Sequence, residues 1–517
     1  MRKRIAVIFS LLLVWVLFSN GAYAFVPYAS YTVDVDKSGA TGYWLAPAAY
    51  TPVKEYVFGD CGGLKGPEDV VSDPVRKIMF VVDTGNNRIL QCDQQFNVQR
   101  VITEFTYDGH TETFKQPEGL YSDRYSKQIY VCDTENGRII VFDENFKCVR
   151  IFTQPDILLS NDVNQFKYLP AKVLVDMGGR MYVILRGMNK GIMELSAEGE
   201  FTGFTGAPPV KPDLWQTIYR FFMTKEQKSK MLNFVPTEFD NFTFDEASFI
   251  YAVSQTQTAA YASEIFTQAN AAPGSVSDLE VDEDASPVKK LNPKGENVLK
   301  YDVLPPLGDT ALGWWPNFVD VVYGGEDVYA LLETSMGKIF CYNGDGDFMY
   351  VFGTGAAGYQ VKGGQLGTFK SPRAIERLGE NYFILDYGTG TITEFEPTEY
   401  GKAINKSVSA YYKGDYDDAY LECQKILRYN ANNSLAYQSI GKILLRKGQY
   451  KESLDYFKTI GFNGQYASEA FKHYRKEVIQ KYNIYIFAVL ILILAAAILY
   501  SIYKRINALV REVRNGR

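Results

Sequence analysis

The sequence predicts a mainly β fold, a six-bladed β-propeller, followed by a small α-helical domain and one transmembrane helix. Three observations predict it. Short β-rich runs recur six times before residue 400, a helical repeat with a 34-residue period follows, and an uncharged run of about 20 residues lies near the end. The 517 residues are 46% apolar, which is typical of a folded chain and excludes a wholly disordered one.

The β repeat is clearest in two segments that are offset by 50 residues. Phe80–Ile89 reads FVVDTGNNRI and Tyr130–Ile139 reads YVCDTENGRI, and a Pro-Glu pair precedes each of them. One such unit cannot bury both faces of its small sheet, whereas six units arranged radially can. Looser copies of the unit follow four further prolines, Pro170, Pro236, Pro316 and Pro372.

The segment Val82–Ile89 resembles the NHL-repeat signature, and Val131–Ile139 is a second close copy. This resemblance implies a six-bladed NHL-type propeller over residues 25–400. We expect Glu55–Gly59 to be the outer strand that closes the last blade. In blades three to five the aspartate of the signature is expected to be replaced, by Leu185, Ser254 and Leu332.

Both ends of the chain carry membrane signals. Residues 1–24 combine three basic residues, an apolar run and the small-residue pattern of Ala22–Ala24, which predicts a cleaved signal peptide, with an uncleaved anchor as the alternative. Residues 482–503 are predicted to form a transmembrane helix with tyrosines at both edges. The predicted topology is single-pass type I in the cell membrane, with the propeller and helical domain extracytoplasmic and the basic tail 504–517 cytoplasmic.

Charge and histidine content exclude several function classes. Residues 25–400 contain 32 basic and 51 acidic residues, a net charge of −19 that phosphate backbones would repel, so no nucleic-acid partner is expected. The two histidines, His110 and His473, cannot form a three-histidine zinc site. The zinc-dependent amidating lyases of the NHL class are therefore excluded.

Residues 401–481 resemble a pair of TPR units. Tyr412–Tyr416 and Arg446–Tyr450 share a Lys-Gly-x-Tyr pattern at an offset of 34 residues. TPR pairs bind other proteins, and we expect Tyr416 and Tyr450 to contact a partner, with a plain membrane stalk as the alternative. Tyr466–Lys481 is expected to form a capping helix that continues into the membrane span.

Two insertions are predicted within the propeller. In the segment 208–236, Trp215, Ile218 and Phe222 fall on one helical face, which would suit a partner groove or a membrane surface, or would pack back on its own blade. The segment 255–287 is polar and ends in an acidic stretch. It is predicted to be a flexible loop, with a weak calcium site as a remote alternative.

The residue that follows each proline is expected at the mouth of the central funnel. Propellers of the gluconolactonase type hold a divalent metal there, and the resemblance therefore implies a ligand or a cation such as Ca²⁺, although no cofactor is predicted. The alternative is a neutralised ring in which Arg373 pairs with a glutamate. Glu68, Glu118, Asn317 and Arg373 are the candidate ligand-binding residues, with Ala171 and Thr237 at the equivalent positions.

The leading hypothesis is a non-enzymatic, membrane-anchored extracytoplasmic scaffold or sensor that binds proteins or a small ligand through the propeller loops and the TPR pair. The combination of segments resembles bacterial envelope proteins of Gram-positive type, which implies membrane or envelope partners, among them components of ABC-type sugar importers. The alternative is a surface metal-dependent lactonase or hydrolase that uses the funnel carboxylates.

Overall fold

The computed structural model describes residues 28–35, 41–155, 167–188, 190–206, 238–254, 287–299, 316–355, 365–461 and 464–516. The predicted signal peptide and the insertion 208–236 lie outside these residues. The predicted loop 255–287 does so as well, except for residue 287. The chain divides into two compact units, Met1–Leu435 and Ala436–Arg517, and the division falls within the region predicted to be TPR-like.

Three strands precede the first complete blade. Strands β1 (Tyr31–Val35) and β2 (Thr41–Leu45) pair with each other as an antiparallel hairpin. Strand β3 (Tyr50–Val57) does not pair with this hairpin. It pairs with a strand that lies more than 300 residues later in the chain. The N-terminal segment therefore contributes to the last blade.

Six antiparallel sheets form the blades of a propeller, and within each blade successive strands are hydrogen-bonded neighbours. Blade one comprises β4 (Asp69–Asp73), β5 (Ile78–Asp83), β6 (Arg88–Asp93) and β7 (Val98–Ile102). The hairpin β8 (Glu104–Tyr107) and β9 (His110–Thr113) leads to blade two, which comprises β10 (Pro117–Ser122), β11 (Ile129–Asp133), β12 (Arg138–Phe142) and β13 (Cys148–Phe152). Blade three comprises β14 (Pro170–Val175), β15 (Met181–Leu185), β16 (Ile192–Leu195) and β17 (Phe201–Thr205).

The second half of the propeller repeats this plan. In the part of the chain that the structure describes, blade four has three strands, β18 (Asn241–Phe244), β19 (Ile250–Val253) and β20 (Val288–Leu291). Blade five comprises β21 (Phe318–Tyr323), β22 (Val328–Glu333), β23 (Lys338–Asn343) and β24 (Phe348–Phe352). A short parallel pair, β25 (Thr354–Gly355) and β26 (Thr368–Phe369), precedes blade six, which comprises β27 (Pro372–Leu378), β28 (Asn381–Asp386), β29 (Thr391–Pro397) and β3. The six-bladed propeller is thus confirmed.

Closure of the ring follows the prediction and extends it. Strand β3 pairs with β29 over the whole of its length, from Tyr50 opposite Pro397 to Val57 opposite Thr391. The predicted closing strand, Glu55–Gly59, was therefore in the right place but began five residues too late. Tyr50 is fully buried and stacks on Phe352 of blade five, with 4.9 Å between ring centroids. Closure consequently fixes blade six against blade five.

The hydrophobic core lies between neighbouring blades, where strands rich in β-branched and aromatic residues face each other. Phe80 and Val82 of blade one pack in one cluster with Val131 and Ile140 of blade two. The turns that separate these strands require left-handed backbone. Gly137, at φ 62°, adopts it without a steric penalty, and Asn87 adopts it at φ 53°. The signature residues thus encode both the strands and the turn between them.

Two helices follow the propeller within the first unit. Helix α1 (Glu399–Lys413) begins at the N-cap Thr398, and α2 (Tyr416–Tyr429) begins at Asp415. A buried hydrogen-bond chain joins α1 to the blades. Tyr350 Oη donates to Asn405 Oδ1 at 2.7 Å, and Asn405 Nδ2 donates to Tyr50 Oη at 2.9 Å. Helix α1 is therefore attached to the same place at which β3 closes the ring.

The second unit contains three helices, of which the last is long. Helices α3 (Ser434–Arg446) and α4 (Tyr450–Thr459) approach closely. At their contact, Ser453 Oγ donates a hydrogen bond to the Gly441 carbonyl at 2.8 Å. Helix α5 (Gln465–Asn515) continues the predicted capping helix without a break. Its segment Phe487–Arg511 is long and apolar enough to cross a membrane.

Candidate functional site

The inner strands of the blades surround a central channel, and their first residues form one of its mouths. Two ion-pair groups occupy this mouth. Arg373 Nε lies 2.5 Å from Glu68 Oε2, and Arg186 Nε lies 2.9 Å from Glu118 Oε2. Arg186 also approaches Asp240, with 3.5 Å between Nη1 and Oδ1. The predicted residues Glu68, Glu118 and Arg373 thus lie at the mouth, where arginines pair with the glutamates as in the neutralised alternative.

The structure places the fourth predicted residue, Asn317, differently. In blade five Phe318 pairs with Glu333 just as Pro372 pairs with Asp386 in blade six, so Val319 holds the position that the prediction gave to Asn317. The backbone N–H of Asn317 donates to Glu333 Oε1 at 3.1 Å instead. The proline on which the prediction relied, Pro316, precedes the repeat position by two residues.

The same difference in register affects blade four. The N–H of Asp240 donates to the Val253 carbonyl, as the N–H of Glu68 does to Val82. The mouth residue of blade four is therefore Asp240, whereas proline counting predicted Thr237. The position after the proline gave the wrong mouth residue in blades four and five, because the segment between the proline and the inner strand differs in length there.

The turn acid of blade five also requires a correction. The expected replacement was Leu332, but Glu333 occupies the position, and its carboxylate accepts hydrogen bonds from the backbone N–H groups of Asn317, Ser335 and Met336. A glutamate is one methylene longer than an aspartate, so the same turn can be held by the longer side chain. Leu185 is at the predicted position in blade three, opposite Pro170, and Ser254 follows the last paired residue of β19 in blade four.

A second polar layer lies in the middle of the channel, one step along the inner strands. Four blades contribute a buried polar residue to it, and two contribute a small one. The pairing registers of the inner strands align Asp69, Lys172, Asn241 and Asp320 with Gly119 and Ala374. The four polar residues, taken whole, have exposed fractions between 4% and 7%. We call these four polar residues the central cluster.

Lys172 crosses the channel from blade three to blade one. Its Nζ lies 2.8 Å from Asp69 Oδ1, which makes a buried ion pair. The other oxygen of Asp69 accepts from the N–H of Leu120 in the neighbouring blade at 3.0 Å. Asp320 acts in the same way in blade five, because its Oδ2 accepts from the N–H of Ile375 at 2.7 Å. The central cluster therefore ties neighbouring inner strands together.

Glu376 extends the acidic character of the channel toward the second mouth. Its carboxylate accepts from the backbone N–H of Ser72 at 3.0 Å and from that of Arg377 at 2.7 Å. Burial raises the pKa of Asp320 to about 7, with the charge of Lys172 opposing the shift. Burial raises the pKa of Glu376 to about 8, and the nearby Asp320 and Asp69 add to the shift. Both carboxyl groups thus titrate near neutral pH.

These residues line a cavity of about 490 Å³ that occupies the channel from the central cluster toward the ends of the inner strands. Its wall also includes Ser72, Tyr121, Tyr323 and Arg377. A volume of this size is within the range of small-molecule sites, and polar groups that converge from several elements are typical of such sites. The cavity is therefore the candidate functional site.

The raised pKa of Glu376 predicts a pH effect on stability. The folded chain keeps this proton to higher pH than the unfolded chain does, so the associated stability is full below the unfolded value of about 4.5 and is lost as pH rises through about 8. Relative to Glu376→Gln, the wild-type chain should lose on the order of 4 kcal/mol of unfolding free energy between pH 5 and pH 9. Chemical denaturation at both pH values measures this difference. Parallel profiles for the two proteins would contradict the assignment.

The cavity residues were not among the predicted site residues, although a signal for them exists. Asp69, Lys172 and Asp320 interrupt strands that are otherwise apolar, as in Phe318–Tyr323, which reads FVDVVY. A polar residue at the same step of several inner strands indicates a shared layer. In the described part of the chain, no group of three or more His, Cys, Asp or Glu side chains is arranged to hold a metal ion.

The predicted partner-binding residues Tyr416 and Tyr450 each contact another ring of the same chain, and their contact with a partner stays a prediction. Tyr450 stacks on His473 with 4.9 Å between ring centroids and packs in the helical core of the second unit. Tyr416 is half-buried and contacts the ring of Tyr411. Trp215, Ile218 and Phe222 lie outside the described residues.

In comparisons with known proteins, the chain is similar to solved structures only in the overall course of its backbone. No family model and no curated protein matches the chain. A streptogramin B lyase structure is 11% identical, with a TM-score of 0.39, and covers 68% of this chain and 100% of its own. A catalytically inactive virginiamycin B lyase from Staphylococcus aureus is 12% identical, with a TM-score of 0.39, over 72% of this chain and 95% of its own. A gluconolactonase from Xanthomonas campestris is 8% identical, with a TM-score of 0.38, over 73% and 99%. Similarity at this level carries no information about activity.

Proposed function

We propose that this protein is a membrane-anchored, extracytoplasmic ligand-binding protein that takes a small polar molecule into the central cavity of its propeller. The observation that carries the proposal is the cavity itself, with buried ionisable side chains converging on it from several blades. Burying such groups costs free energy unless they are paired, and retaining several of them at one place is typical of a functional site.

The proposed role is sensing or scaffolding rather than catalysis. Helix α1 is hydrogen-bonded to Tyr350 of blade five and Tyr50 of blade six through Asn405. Arg377 lines the cavity and interacts electrostatically with both tyrosines. A ligand in the cavity would thus contact Arg377, whose charge acts on the tyrosines that hold the helix. The orientation across the membrane and envelope partners, such as ABC-type importer components, belong to the same proposal and rest on the sequence.

The alternative, a metal-dependent lactonase or hydrolase, has less support from the geometry. It would require the glutamates of the first mouth to bind a divalent cation. Glu68 and Glu118 instead make ion pairs with Arg373 and Arg186. An arginine that neutralises a carboxylate competes with a cation for the same oxygens.

The proposed function is tested by filling the cavity. Full-length protein in mild detergent is screened by thermal unfolding against small-molecule fractions of cell extract. A fraction that stabilises the wild type should have no effect on Ser72→Trp, because the indole would occupy the cavity next to Glu376. At a ligand concentration of 100 times Kd the stabilisation is about 2.7 kcal/mol.

The matched control is Val101→Trp, which adds the same ring at an exposed position on the outer strand β7. This variant should respond as the wild type does. Equal stabilisation of Ser72→Trp and wild type by the same fraction would contradict binding in the cavity.

A further inference from the structure

The acidic side chains along the cavity are not all paired with cations. Several lining carboxylates have a cation within ion-pair distance, as for Asp73 with Arg76 at 2.8 Å and Asp245 with Lys290 at 3.0 Å. Lys172 similarly pairs with Asp69. Of the lining carboxylates in the described residues, Asp320 and Glu376 accept hydrogen bonds from backbone N–H groups, and neither has an ion-pair partner there.

The nearby guanidinium makes its contacts elsewhere. Arg377 follows Glu376 on β27, and its Nη1 donates to the Gly324 carbonyl while its guanidinium lies over the ring of Tyr382. Successive residues of a strand point to opposite sides, so the positive charge is directed away from the Glu376 carboxylate. The carboxyl groups of Asp320, which is buried, and Glu376, which is half-buried, therefore face the cavity with oxygen lone pairs to spare. A bound cation would favour the ionised form of each.

Lys172 provides an independent indication of a ligand. The side chain is 8% exposed and lines the cavity. Apart from the ion-pair contact with Asp69, its ammonium has no hydrogen-bond acceptor among the described residues. An ammonium has three N–H donors, and a buried donor without an acceptor is costly. A ligand that places an oxygen beside Lys172 would satisfy it.

On this basis we infer that the ligand is a small organic cation, a protonated amine that also carries a hydroxyl or carboxylate oxygen. The amine would donate to Asp320 and Glu376, and the oxygen would accept from Lys172. Tyr121 and Tyr323 lie in the cavity wall, and aromatic rings attract organic cations. The inference rests on the proposed function, because it assigns a ligand class to the same cavity.

The probes are three amines with an oxygen acceptor, each compared with its N-acetyl form, which keeps the oxygens and removes the charge. Glucosamine, ethanolamine and 6-aminohexanoate, each with a single amine, are titrated against the full-length protein in mild detergent by calorimetry. At least one amine should bind, and its N-acetyl form should bind at least tenfold more weakly. In Asp320→Asn/Glu376→Gln the preference should fall below threefold.

Glu246→Gln is the matched control, because it removes a carboxylate from the exposed rim of the same cavity and should keep the preference. If the double variant does not fold, the comparison of each amine with its N-acetyl form in the wild type still decides the matter. Equal affinity within every pair, or no binding of any amine at 10 mM-scale concentrations, would overturn the inference. If the neutral N-acetyl forms bind equally well and Ser72→Trp abolishes that binding, the inferred amine would be overturned, whereas the proposed binding of a ligand in the cavity would be supported.

Discussion

Deletion of β3, residues 50–57, should prevent the propeller from folding. This strand is the outer strand of blade six, and it contributes Tyr50, which is fully buried, and Tyr56, which is 9% exposed. Loss of one buried aromatic side chain alone costs about 3–5 kcal/mol, and a typical domain has only about 5–15 kcal/mol of stability. Without the strand, blade six also presents an unpaired edge along β29. Limited proteolysis and circular dichroism of the full-length protein in detergent measure the effect.

The matched control keeps the strand and changes its exposed residues. Val53 is 42% exposed and Val57 is 72% exposed, so their joint replacement by threonine preserves the pairing of β3 with β29. This variant should melt within a few degrees of the wild type. A deletion protein that remains resistant to protease would show that the ring does not depend on its N-terminal closure.

Asp133→Ala should destabilise the propeller by about 3–5 kcal/mol, the range for removing one partner of a buried ion pair. The carboxylate is fully buried and accepts from Arg138 Nε at 2.8 Å, from Asn136 Nδ2 at 2.9 Å and from the N–H of Lys115 at 2.7 Å. Its removal leaves these donors without that acceptor. Equilibrium denaturation with urea measures the change.

A second aspartate of the same blade gives the comparison. Asp143 accepts from the N–H groups of Asn145 and Lys147 in an accessible turn, so Asp143→Ala should cost only about 1 kcal/mol. Replacing Arg138 by methionine in the Asp133→Ala background should restore part of the loss, because the uncompensated charge is then gone. Equal effects of the two alanine substitutions would contradict the structural role given to the signature aspartate.

The sequence predicted the propeller because its repeats preserve residues that hold turns. Asp83 and Asp133 accept the same set of hydrogen bonds, from an arginine, an asparagine and a backbone N–H, so the two blades read almost alike. Where a different residue holds the turn, as Glu333 does, the alignment slipped by one position. The blade itself was still recognisable from its strands.

The candidate site was harder to predict because its residues share a position and not a residue type. Asp69, Lys172, Asn241 and Asp320 occupy equivalent steps of four blades, yet no two neighbouring blades use the same side chain. A comparison of repeats that relies on identical residues detects the conserved turns and prolines, but it does not detect a layer whose residue type changes from blade to blade. Glu376 adds a further difficulty, since only the packing of β27 beside β4 of blade one brings it near Ser72.

The most direct test of the account is an experimental structure of the full-length protein with the extract fraction that stabilises it. Density for a small molecule is expected in the central cavity, between Lys172 and the carboxylates of Asp320 and Glu376. Density for the ligand at the opposite mouth, beside Glu68 and Glu118, would contradict the proposed site, as would a ligand bound on the helices that follow the propeller.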